Sequence, residues 1–145
     1  MFENQQSSVL HMSAVNLIRS NLPGALAMST ISRNPRYDLE WRGIWVSVKV
    51  AKHLLKKDDN KERWYFTLRE DDRRSADIIV FICLSREGER DSVYAVPKDF
   101  IPKSSVTITH DRGRYAYFEV KDVSAVAGRI GEILNEVPRL QKLLK

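Results

Sequence analysis

The chain has 145 residues, 43% hydrophobic and 30% charged, which suits one domain with a real core and excludes a disordered segment. No stretch approaches the roughly 20 apolar residues of a membrane helix, and MFENQQSSVL has neither the basic nor the apolar region of a secretory signal, so no membrane partner is expected. A lone Cys83 excludes an internal disulfide and a cysteine-based zinc site, which makes a reducing, cytoplasmic setting the default; the net charge of +5 favours an acidic partner only where it is locally concentrated.

No linker or repeat divides the chain, so residues 1–145 are read as a single domain, with a core over about 8–120 and a C-terminal helix over about 122–145. Ser7 or Ser8 is expected to cap a first helix running to about Asn21, with Leu10, Ala14, Leu17 and Ile18 at helical spacing. Pro23-Gly24 ends it, Ala25 to Ile31 reads as a short strand, and Asn34-Pro35 turns the chain. A β-hairpin follows: Tyr37 to Trp41, a tight Arg42-Gly43 turn, then Ile44 to Ala51.

Lys56 to Lys61 is a polar loop tip, Trp64 to Leu68 another strand, and Glu70 to Arg74 a charged connection with room for a helical turn. The almost unbroken apolar run Ile78 to Leu84 predicts a strand buried on both faces, with Cys83 a small buried hydrophobe and Asp77 a cap or turn before it. Ser92 to Val96 returns as its partner, and Val106 to Thr109 and Tyr115 to Val120 are two further strands. Asp122 or Ser124 caps a last helix with the stripe Val126, Ile130, Ile133, Leu134 and Val137, and Pro138 starts or kinks its final segment. The fold class is therefore α/β, a mixed central sheet between an N-terminal and a C-terminal helix.

Chemistry concentrates in the hairpin. Alternate residues of a strand share a face, so Asp38 and Glu40 point one way, as do Ser47 and Lys49, while Leu39 and Val48 point into the core. A carboxylate offers hard oxygen ligands to Mg²⁺, and a nearby ammonium can orient the attacking water.

This arrangement resembles the PD-(D/E)XK nuclease superfamily, and within it the small group I intron-encoded and archaeal-type endonuclease domains. The likeness rests on Tyr37-Asp38-Leu39, on Trp45-Val46-Ser47-Val48-Lys49-Val50-Ala51, on Ala76-Asp77-Ile78-Ile79-Val80-Phe81 and on Val93-Tyr94-Ala95-Val96-Pro97, in order over roughly residues 8 to 103. It implies a restriction-endonuclease-like sheet and a metal-dependent endonuclease acting on DNA. Asp38, Ser47 and Lys49 would be its catalytic positions, with Mg²⁺ or Mn²⁺ held by Asp38 and Glu40. One departure stands out: Ser47 occupies the place where the superfamily has an acid or amide. The superfamily also often has an acid on the first helix, where this chain has none after Glu3 and carries His11 near the matching turn.

Three readings of Asp38, Ser47 and Lys49 stay open at the level of sequence. They are an active nuclease with a migrated ligand, a catalytically inactive nuclease-fold domain serving in DNA binding or protein assembly, and an unrelated α/β domain with a plain Asp38–Lys49 cross-strand pair. Arg33, Arg36, Lys52, Lys56 and Lys57 flank the hairpin and are the candidate phosphate contacts. Of the aromatics Trp41, Trp45, Trp64, Tyr65 and Phe66, most belong to packing, and any left exposed is a candidate for base stacking. A homodimer is expected if both strands of a duplex are cut.

Overall fold

The computed structural model describes residues 2–31, 37–52, 63–85, 90–102, 104–110 and 113–144. In chain order the elements are α1 (Phe2–Ser20), β1 (Leu26–Ala27), β2 (Leu39–Trp41), β3 (Ile44–Lys52), β4 (Arg63–Thr67), α2 (Glu70–Ser75), β5 (Ile78–Leu84), β6 (Arg90–Pro97), β7 (Ser105–Thr109), β8 (Glu119–Val120) and α3 (Val126–Leu144). Six strands form a mixed sheet in the order β1-β2-β3-β5-β6-β8, and β4 and β7 form a separate antiparallel pair. Among the described strands, only β3 and β5 pair in parallel, because the connection between them is long enough to carry β4 and α2 across one face.

Strand β5 is buried at all seven positions, as its apolar run predicts, since strands flank both its edges and layers cover both its faces. Lys49 and Phe81 are register partners and so share a face of the sheet. Phe66 of β4 meets Phe81 edge-on at 4.8 Å between centroids, and the Trp64 indole N–H donates to the Leu84 carbonyl at 2.8 Å, so the β4–β7 pair covers that same face. Helix α1 packs against β3 and buries Ala14 and Ile18, with Leu22 buried just past its end; α3 packs against β6 through Val126, Ile130 and Ile133.

The β2–β3 turn is Arg42-Gly43, with φ of 52° and 80°, the paired positive values of the tight hairpin turn whose twist matches its strands. Leu39 and Val48 are both fully buried, as the alternation requires.

Elsewhere the elements differ from the sequence reading. Helix α1 begins at Phe2, which puts Ser7 and Ser8 inside it; no Pro or Gly interrupts Phe2 to Ser8, so no stop signal delays the start. Only Leu26–Ala27 of the expected Ala25–Ile31 strand pairs with β2; the chain then tightens into a 3-10 turn, Met28–Thr30, with the Thr30 hydroxyl donating to the Ala27 carbonyl at 2.6 Å. The Tyr115–Val120 strand is mostly a 3-10 turn, Ala116–Phe118, leaving β8 two residues long. There the Arg129 guanidinium of α3 donates to the Tyr117 and Glu119 carbonyls, taking acceptors that a strand partner would otherwise use. Pro138 lies inside α3, which continues beyond it.

Candidate active site at the β2–β3 hairpin

Strand β2 pairs with β3 only as far as Leu39↔Val46. One residue before β2, Asp38 keeps its backbone N–H on the Val46 carbonyl at 3.0 Å, and its carboxylate Oδ2 accepts the Val48 N–H at 2.7 Å. The side chain thus does the work of the strand partner that is missing beyond Val46. Its other oxygen, Oδ1, lies 3.3 Å from Nε2 of His11 on α1. Asp38 is 12% exposed and His11 42%, so the pair sits at the surface end of the hairpin. The hydrogen bond to Asp38 raises the His11 imidazole above its ordinary value, against the opposing effects of partial burial and the Lys49 charge.

Ser47 and Lys49 share the other environment. Both reach Asp72 on α2, a fully buried carboxylate: Lys49 Nζ lies 2.8 Å from Oδ2 and the Ser47 hydroxyl 3.3 Å from Oδ1. Arg69 completes the shell, with its backbone N–H donating to Oδ2 at 3.0 Å and its guanidinium reaching both oxygens at 3.4 Å. The backbone bond is the N3-to-N-cap half of a capping box, which seats the start of the short helix. Burial alone would raise the Asp72 carboxyl, but the Lys49 ammonium and Arg69 outweigh it and hold the group below the usual carboxylate range.

The structure therefore brings Ser47 and Lys49 together through Asp72, and sets Asp38 against His11 and the Val48 N–H. Glu40 is the cross-strand partner of Trp45, two positions farther along than Asp38. Among the described residues no three His, Cys, Asp or Glu side chains gather as a metal-binding group. Asp72 has both oxygens engaged and Ser47 brings no charge, so the two-carboxylate metal site that the resemblance implies does not match this donor set. Asp38 Oδ1 and His11 Nε2 are left as a pair of potential donors facing each other. Lys52 is exposed at the end of β3; Arg33, Arg36, Lys56 and Lys57 lie outside the described residues.

Sequence reasoning missed Asp72 altogether. It lies in the charged run Glu70-Asp71-Asp72-Arg73-Arg74, and six residues of helix are too few for periodicity to reveal which acid turns inward. The available signal was its place three residues after the N-cap. His11, near the matching turn of the first helix, is the partner of Asp38. Asp77 opens β5 as a backbone clasp, with its N–H donating to the Trp45 carbonyl at 2.7 Å and its Oδ2 accepting the Trp45 N–H at 2.8 Å.

No family model and no curated protein matches the chain. Among solved structures, the chain is similar to a bacterial homing endonuclease, I-Ssp6803I, at 16% identity and a TM-score of 0.49, over 96% of this chain and 95% of that one. Among the described residues no helix is long and apolar enough to cross a membrane.

Proposed function

We propose that this chain acts on DNA as a metal-dependent endonuclease of the PD-(D/E)XK type. The observation that carries the reading is the join between Asp38 and Lys49: the Asp38 carboxylate accepts the N–H of Val48, the residue next to Lys49, at 2.7 Å. Acid and ammonium thus come from adjoining segments at one end of the hairpin, with the His11 imidazole over the acid. Asp38, with His11 at its side, would hold one divalent cation; such a cation supplies charge for a phosphate oxygen and acidifies a bound water. Asp72 fixes the Lys49 side chain so that its charge is oriented without reorganisation when negative charge builds on the phosphate. Hydrolysis forms a bond from water oxygen to phosphorus and breaks the bond from phosphorus to the leaving deoxyribose oxygen, which takes up the proton that the water gives up.

The test is cleavage of duplex, single-stranded and branched DNA with Mg²⁺ or Mn²⁺, against a chelator control, with Asp38→Ala and Lys49→Ala alongside. Asp38→Ala is expected to abolish cleavage, and Lys49→Ala to impair cleavage more than DNA binding. Cleavage that survives both substitutions would sink the assignment.

One observation favours a second reading, a nuclease-fold domain that binds DNA or a protein without turnover. Lys49 is already neutralised by a buried carboxylate, and Ser47 is spent on the same group. That reading expects salt-sensitive DNA binding with no metal-dependent product.

A further inference from the structure

Of the three tryptophans, Trp64 and Trp41 are 0% and 3% exposed, whereas Trp45 is 40% exposed although it lies in β3, beside the central strand. Its ring is stacked on Tyr37, with centroids 4.5 Å apart and planes 7° from parallel. Asp77 clasps both backbone groups of Trp45, so the platform stands on a fixed strand position. By strand alternation Trp45 shares its face with Ser47 and Lys49, and Tyr37 is the neighbour of Asp38. Cross-strand from Trp45 stands Glu40, and at the hairpin tip the Arg42 guanidinium lies 4.8 Å from the Trp41 ring centroid.

We propose that the Tyr37–Trp45 stack is a binding platform for an unpaired nucleobase, so that the DNA bound beside Asp38 and Lys49 has a single-stranded or frayed stretch. The proposal rests on the DNA-acting reading and narrows its substrate. An exposed indole backed by the parallel, half-buried Tyr37 ring offers a flat surface to the π-face of any base, and stacking of this kind tolerates sequence. The flanking charges set the orientation. Glu40 repels phosphate and can accept from the amino edge of adenine or cytosine, whereas Arg42 and the exposed Lys52 suit the backbone outside the stack. An apolar protein segment would gain nothing from the Glu40 carboxylate, which stands across the strand pair from Trp45.

Because Trp45 is the exposed tryptophan, its emission reports the platform directly. A single-stranded oligodeoxyadenylate of about a dozen nucleotides is expected to quench wild-type tryptophan fluorescence and to shift the anisotropy of a labelled copy. Trp45→Phe should lose the quenching yet keep the binding, since Phe still stacks. Trp45→Ala should bind that oligonucleotide roughly tenfold more weakly while its affinity for blunt duplex stays at the wild-type level. Trp45→Ala binding the single strand as tightly as wild type, or losing single strand and duplex equally, overturns the platform. Wild-type binding to duplex but not to single strand also overturns it and leaves the DNA-acting reading standing. Binding to neither takes down both.

Discussion

Two carboxylates stand at the same end of the hairpin in opposite circumstances. Asp72 is buried and saturated, with Lys49, Ser47 and Arg69 on its two oxygens; Asp38 is only partly buried, with one oxygen on a backbone N–H and the other facing a half-exposed imidazole. A buried charge that loses a partner has no water to turn to, whereas a surface one does. The contrast separates a carboxylate that holds the fold from the one to which the proposed function assigns chemistry, even though Lys49 links the two neighbourhoods.

The largest expected effect comes from breaking the buried side. Asp72→Ala removes the partner of Lys49, the acceptor for Ser47 and the cap of α2, and should cost about 3–5 kcal/mol in urea unfolding. A loss under about 1 kcal/mol would mean that the cluster is not structural. Lys49→Ala should cost less, about 2 kcal/mol, because Arg69 still faces the stranded carboxylate.

Titration sharpens the comparison. The Asp72 carboxyl is depressed in the fold, so its contribution is fully present above the unfolded value of about 4 and is lost as pH falls through the lower, folded one. The His11 imidazole is raised, so its contribution is present below about 6.5 and fades as pH rises through the higher folded value. Melting temperature should therefore decline slightly above about pH 6.5 in the wild type and stay level there in His11→Gln. The exposure of His11 keeps this below about 1 kcal/mol. The smallest effect lies away from both carboxylates. Arg42→Gly relieves a non-glycine residue at φ 52° but loses the contact with Trp41, so a thermal melt should move by no more than about 1 kcal/mol in either direction.

What the sequence made legible was local. The Arg42-Gly43 turn, the buried run of β5, the inward Leu39 and Val48 and the α3 stripe all follow from spacing within a few residues. What it hid was set by tertiary contact. The two-residue β8 is short because Arg129 of α3 takes the Tyr117 and Glu119 carbonyls. The β4–β7 pair joins residues 63–67 to 105–109, and no turn signal connects them. In the candidate site, the hairpin side chains could be named from alternation. The direction of Asp72 depends on a helix whose position is fixed by strands on either side of it in the chain, so its role could not.

The bond from the Val48 N–H to Asp38 has a consequence for solubility as well as for chemistry. Past Val46, β3 has no β2 residue beside it, and an open strand edge invites pairing with another molecule. The Asp38 carboxylate occupies the first donor of that edge, and the exposed Lys52 adds a charge at its far end. The carboxylate that the proposed function gives to the cation would therefore also guard the strand edge against self-association. Asp38→Asn, which keeps an acceptor oxygen, separates the two duties in a way that Asp38→Ala does not.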